Sequence, residues 1–200
     1  GLIEQLMFSI NPAYDYQHGE FAFGSADERM KLYRRCEAEG IGISVMKPYS
    51  GGQLLDERTS PFGKALTEAQ CIQYALDKPG VLTVLPGVRN LDDVKRALSW
   101  LTAAPEEKDY SALGSYAPKD AVGNCVYCSH CHPCPAGLNI ALINKYYDLA
   151  VIGDSMAADH YEKLPKHASD CIGCGHCDRR CPFHVAQSER IKEIAAYFGK

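Results

Sequence analysis

Short apolar runs alternate with helical periodicities along the first hundred residues. QLMFSIN, residues 5 to 11, is too short for a helix and reads as a buried strand that stops at Asn11-Pro12, where proline removes a backbone donor. A polar loop with Tyr14, Asp15 and Tyr16 follows. Ser25 and Glu28 form a capping box, and Met30, Leu32, Tyr33 and Cys36 then recur at helical intervals until Gly40. IGISVM, residues 41 to 46, is the second strand. Thr67 and Gln70 form another capping box for a helix through about Asp77, ended by Pro79-Gly80. VLTVLPG, 81 to 87, is the third strand. Asn90 caps a helix through about Leu101, with Asp92 and Asp93 in its first turn, where acids suit the dipole. Strands alternating with helices in this way predict parallel βα units.

After residue 103 the pattern changes. Residues 104–120, with Pro105 and Gly114, read as a linker between a βα part, 1–103, and a second part, 121–200. Within the latter, Asn139 opens a helix to about Ile152, and residues 186 to 198 form a last amphipathic helix with Ile191, Ile194, Ala195 and Phe198 on one side. These two helices are expected to pack over the loops between them and keep water out.

Composition narrows the function classes. No apolar run approaches the roughly 20 residues of a membrane helix, so no membrane association is expected. The net formal charge is −4, and the excess of acid falls in residues 1–120. No basic stripe offers phosphate contacts, which excludes nucleic acid as an expected partner. The N-terminus has no secretion signal, and the chain is expected in the cytoplasm.

Ten cysteines change the picture, because eight of them fall in two runs, CVYCSHCHPCP and CIGCGHCDRRCP. Each run has two-residue gaps between its first three cysteines and a proline after the last. Such spacing wraps three sulfurs of one loop around an inorganic centre. Structural zinc is an alternative, with His130, His132 or His176 as further ligands, and disulfides are another in oxidising compartments. The runs are the pattern of a bacterial-type ferredoxin with two [4Fe–4S] clusters, in which the fourth cysteine of each run serves the other cluster. That resemblance implies one cluster on Cys125, Cys128, Cys131 and Cys181, and another on Cys171, Cys174, Cys177 and Cys134. The second run has three residues before its last cysteine, while the first has only His132 and Pro133. Eight thiolates around two such cores would add roughly four negative charges to the C-terminal part. Cys36 and Cys71, on helix patterns, are expected as buried thiols. His18, His160 and His167 read as surface or hydrogen-bonded histidines.

FSINPAYDY, GIGISVMKPYSGGQLL and LPGVRNLDDV, in that order and spacing, resemble the last three βα units of an aldo/keto reductase. The cysteine-rich tail resembles the branch of that family with a C-terminal 4Fe-4S domain. Tyr49 departs from the family, which more usually has an aliphatic residue after Lys-Pro. The resemblance implies an α/β fold: the last three βα units of a TIM (β/α)8 barrel, strands six to eight, followed by a small α-helical ferredoxin-like dicluster domain. It implies NADPH-dependent reduction of a carbonyl by the intact protein. The catalytic Tyr, Lys, Asp and His belong to the first half of the barrel and are absent here, so no catalytic residue is assigned. Lys47, Tyr14 and Tyr49 fall on no matching motif and read as side chains at the barrel mouth. Part of a dinucleotide site carries over: Ser50, Gly51 and Gly52 after one strand, and Gly87, Val88, Arg89, Asn90 and Asp93 after the next, with Arg89 as a clamp for a 2'-phosphate. The bland reading makes these tight turns and a solvated arginine beside Asp92.

Three parallel strands leave open edges. The missing N-terminal half is therefore expected in cis or on another chain, and the chain, which begins with Gly, is expected to be a piece of a longer protein. A redox partner such as a ferredoxin or flavoprotein is expected for the clusters. The alternative function is a non-enzymatic dicluster electron carrier or electron-transfer subunit.

Overall fold

Strand β2 (Gly42–Met46) lies between β1 (Gln5–Ser9) and β3 (Val81–Leu85), and both neighbours run parallel to it. The computed structural model describes residues 2–16, 23–116 and 122–200. Side chains alternate across a strand. Ile43 and Val45 are fully buried, beside Leu6 and Phe8 of β1 and Val81 and Val84 of β3. Strands adjacent in sequence are adjacent in the sheet, and right-handed crossovers then put α2 (Ala26–Ala38) and α3 (Glu68–Leu76) on one face. On the opposite face Ser44 is buried, but the larger side chains are exposed. Met7 and Met46 lie there in register with Ser44 and Ser9, and Leu85 pairs with Met46. Leu82, at a register shift next to Ile43 and Ser44, is 73% exposed.

The helices begin where their caps are. Ser25 Oγ accepts from the Glu28 N–H at 3.1 Å, Thr67 Oγ1 from Gln70 at 3.1 Å, and Asn139 Oδ1 from Leu142 at 3.1 Å to open α6 (Ile140–Val151). Asn90 Oδ1 accepts from Asp93 at 2.9 Å and opens α4 (Leu91–Leu98), which ends in one tight turn, Ser99–Leu101. Trp100 Nε1 donates to Gln73 Oε1 at 3.0 Å.

Where the sequence reads as a polar loop, the chain instead forms α1 (Pro12–Asp15). Strand β1 stops at Ser9, Asn11 Oδ1 accepts from the Tyr14 N–H at 2.9 Å, and Pro12 sits in the first turn, where its missing N–H costs nothing. Tyr14, Asp15 and Tyr16 are all buried, not at a wet barrel mouth. Asp15 is tolerated inside because it is paired: Arg29 Nε and Tyr33 OH each donate to Oδ1 at 2.7 Å, and Tyr74 OH donates to Oδ2 at 2.9 Å. Tyr49 is buried too, whereas Lys47 is exposed.

The linker is partly structured, as α5 (Pro105–Lys108) and a tight helical segment, Ser111–Tyr116. Its residues 117–120, like His18, lie outside the described residues. Gly114 brings the linker against both cysteine loops: a Cβ there would stand 2.7 Å from Pro182 Cγ and 2.9 Å from His130 Nδ1. In the C-terminal part α7 (Ala157–Glu162) and α8 (His176–Arg180) join α6 and α9 (Gln187–Phe198). They are too short to show periodicity in sequence. Ile140, Ile143, Tyr161, Ile191 and Ile194 close a core there, with Phe198 stacked on Tyr161 at 4.0 Å.

The cores do not follow the sequence boundary. Val126, Tyr127, Phe183 and Val185 from the cysteine-rich part bury themselves with Ile10, Tyr16, Phe62 and Tyr74 of the βα part. A polar bridge reinforces the seam. Arg34 of α2 donates to Tyr127 OH at 2.9 Å and to Asp148 Oδ2 at 2.9 Å, and Tyr127 OH donates to the same carboxylate at 2.7 Å. Arg190 of α9 binds the other oxygen of Asp148. No helix among the described residues is long and apolar enough to cross a membrane.

Candidate functional site

The two cysteine loops share one backbone path. In the second, Gly173 and Gly175 have left-handed φ of 66° and 63°; at the equivalent places in the first, Tyr127 and Ser129 have 58° and 59°. In each loop the residue two positions after the first cysteine is left-handed and aims its own amide back at that sulfur. The Gly173 N–H donates to Cys171 Sγ at 3.4 Å, and the Tyr127 N–H favours the anionic form of Cys125 in the same way. Glycine takes this conformation freely; tyrosine and serine do not.

Each loop opens onto a cavity that the other loop completes. One cavity, about 290 Å³, is lined by Cys125, Cys128, Cys131 and Cys181 with Val126, Tyr127, Ala141 and Phe183. The second, about 370 Å³, is lined by Cys134, Cys171, Cys174 and Cys177 with Leu138, Ile140, Ile172 and Ile191. The shorter His132-Pro133 spacing still brings Cys134 onto the far wall. The sulfurs ring these spaces: among the described residues, no group of three or more His, Cys, Asp or Glu is placed to hold a single metal ion.

Burial pushes the thiols up, Cys125 to about 12 and Cys128 and Cys177 to about 11, and it raises Cys131 as well. Such thiols surrender their protons only to a bound cation, as coordinating sulfur does. His176 lines the second cavity, and its Nε2 is buried with no partner among the described residues; His132 Nε2 is in the same state. His130 Nδ1 instead meets Ser111 O. Four soft donors around a dry, apolar space fit an iron–sulfur core.

The surroundings of the two cavities differ. The first lies inside the shared core, and Lys78 from the turn after α3 donates to Val126 O at 3.3 Å. At the second, Cys174 is exposed and Ile172 is 66% exposed.

Residues 121–185 match a family model described as a 4Fe-4S dicluster domain. Residues 121–185 are thus a dicluster iron–sulfur domain, and the chain also holds a mixed α/β part built on a small parallel sheet. No curated protein and no solved structure matches the chain significantly.

The residues tied by resemblance to a dinucleotide gather at the C-terminal ends of β2 and β3. Gly51, Gly52, Gly87, Val88, Arg89 and Asp93 line an open cavity of about 1520 Å³ with Lys47, Glu68 and Arg96. Ser50 and Asn90 are not among the lining residues. Ser50 Oγ lies 3.4 Å from Gln53 Oε1, and Asn90 is occupied as a helix cap. Arg89 pairs with Asp93 at 3.2 Å, not with Asp92, which binds Lys95. Hydrogen bonds from Arg89 hold the Asp93 carboxyl below its usual range. Cys36 and Cys71 are buried helix thiols. His160 packs on Tyr146 and His167 on Tyr161.

Nothing in the sequence marks Lys78, the close approach at Gly114 or the role of Tyr127. A lysine ahead of Pro-Gly reads as a surface turn, and only the fold brings its ammonium to the cysteine loop.

Proposed function

We propose that this chain is the electron-transferring C-terminal portion of an aldo/keto-reductase-like oxidoreductase. Cys125, Cys128, Cys131 and Cys181 would hold one [4Fe–4S] cluster, and Cys134, Cys171, Cys174 and Cys177 the other. The observation that carries this reading is the pair of cavities, each ringed by three cysteines of one run and one of the other. Bound clusters of this kind supply one-electron oxidation and reduction. The chain's own residues do the rest. Apolar walls from α6 and α9 exclude water, and amides at Tyr127, His130 and Gly173 direct positive dipoles at sulfur. The exposed loop of Ile172 and Cys174 is the natural side for a redox partner such as a ferredoxin or flavoprotein. Anaerobically prepared protein should contain about eight iron and eight sulfide per chain. Stoichiometric zinc, or cross-linked thiols, would refute the reading.

For the βα part, residues 1–103, we propose strands six to eight of a (β/α)8 barrel, joined by 104–120 to the dicluster domain, 121–200. Three observations support this: sequential parallel order, a sheet face that leaves Met7, Leu82 and Leu85 exposed, and a large cavity at the strands' C-terminal ends. In the intact protein NADPH would lie in that cavity, with Gly51, Gly52 and Gly87 near its phosphates and Arg89 at the 2'-phosphate. The other half of the barrel, in cis or on another chain, would bring the catalytic Tyr, Lys, Asp and His. The 200-residue chain should therefore show no NADPH-dependent carbonyl reduction, and measurable turnover by it would overturn this assignment.

The carrier reading is favoured by one observation: both cysteine cavities are complete within these residues. If clusters in the full-length protein are reduced and reoxidised with no carbonyl turnover, the carrier stands instead.

A further inference from the structure

Lys78 sits in the turn between α3 and β3 and is 1% exposed. Its Nζ donates to Val126 O at 3.3 Å, lies 3.8 Å from the centre of the Tyr74 ring and 5.8 Å from that of Tyr110. Among the described residues no carboxylate stands within 4.0 Å of it. The acids nearby are already engaged. Asp15 is paired with Arg29 and bound by Tyr33 and Tyr74, while Asp77 is held by the neutral donors Gln73 at 2.7 Å and Tyr110 at 2.6 Å and keeps its charge, beyond 4.0 Å from the ammonium. A buried ammonium held by one carbonyl and an aromatic face is costly unless an opposite charge is close.

A further place for such a charge is the cavity that Val126 itself lines, between Cys125 and Cys128. Four thiolates there around an iron–sulfur core carry net negative charge. Burial depresses the ammonium's pKa, and Asp15, Asp77 and Cys128 oppose that depression, while Lys145 adds to it. Other cations near this loop are compensated or wet. Arg34 reaches Cys125 O at 3.3 Å but is paired with Asp148, and Arg180, which donates to His130 O at 3.0 Å, is only half-buried. Neither cavity has a Lys or Arg in its lining. At the second, Arg179, which donates to Cys174 O at 3.3 Å, is exposed, and so is Ile172.

We infer that Lys78 is the counter-charge of the site formed by Cys125, Cys128, Cys131 and Cys181, and that it holds this site's reduction potential above that of the site at Cys171, Cys174, Cys177 and Cys134. The inference rests on the reading that both cavities take clusters. Reduction adds one electron, and a fixed positive charge inside a water-poor core stabilises the added negative charge. Lys78 acts as a positioning residue: it touches the loop and not the sulfurs. The consequence is directional. An electron taken from an external donor at the exposed Ile172 loop runs inward, toward the βα part.

The test is a dithionite titration of anaerobically reconstituted full chain, followed by electron paramagnetic resonance. Cys174→Ser, which disturbs the outer site alone, identifies which signal is the inner one. In the wild type the inner site should be reduced first. Lys78→Gln keeps a donor for Val126 O and loses the charge; it should shift the inner midpoint downward and leave the outer one in place. Lys78→Arg should stay near the wild type. Equal midpoints in a fully loaded Lys78→Gln chain and the wild type overturn the inference. So does a wild-type chain whose inner site is reduced last, a result that needs no variant at position 78. Absence of any four-iron signal from iron-loaded wild type is a different failure, and it removes the cluster reading itself.

Discussion

Ser129 and Gly175 occupy the same place in two equivalent loops and adopt the same left-handed conformation, yet only one of them is a glycine. The serine carries a penalty of about 1 kcal/mol for that backbone. Ser129→Gly should therefore raise the unfolding free energy by about that amount without changing iron content, as read by chemical denaturation of the loaded protein. Tyr127, strained in the same sense, is a different case. Its hydroxyl bridges Arg34 and Asp148, so the side chain offsets what the backbone costs. Cysteine spacing is a local signal and was legible in the sequence. The burial of Asp15 and Lys78 was not, because a charge is admitted to a core only by partners far along the chain: Arg29, Tyr33 and Tyr74 for the acid, Val126 and the Tyr74 ring for the lysine.

At the scale of elements, capped helices could be placed in advance because a cap is written within four residues. Ser25, Thr67, Asn90 and Asn139 all open helices. The short α1, α7 and α8 lack a full amphipathic period and could not be placed. Ser25→Ala should destabilise the chain by about 1 kcal/mol in thermal or denaturant melts. Its partner gives a pH signature. The Ser25 backbone N–H, and then its hydroxyl, hold the Glu28 carboxyl below the usual range. A folded pKa below the unfolded one contributes stability above the unfolded value and loses it as pH falls through the folded value. Wild type should thus melt above Glu28→Gln near neutral pH, and the difference should close in acid; a gap that persists there would contradict the assignment.

The whole molecule is built across its own sequence boundary. A composition shift at residues 104–120 suggests two independent parts, but Val126, Tyr127, Phe183 and Val185 complete a core begun by Ile10, Tyr16, Phe62 and Tyr74. Chelating the iron should accordingly speed hydrogen exchange in α1 and α3 as well as in residues 122–200; unchanged protection in α3 would show that the shared core survives without metal. Gly114 is a close approach across this joint, and Gly114→Ala must push Pro182 and His130 aside. Met7, Leu82 and Leu85 on the open sheet face are, by contrast, exposed.

The unequal shelter of the two cysteine cavities also sets an order of damage. Oxygen and peroxide reach a centre through whichever wall is thinnest, and here that wall is the Ile172–Cys174 loop. In air the outer centre should bleach and shed iron while the inner one, roofed by Tyr127 and Phe183, keeps its spectrum for longer, so that partly aged protein retains about half its iron in a single, uniform environment.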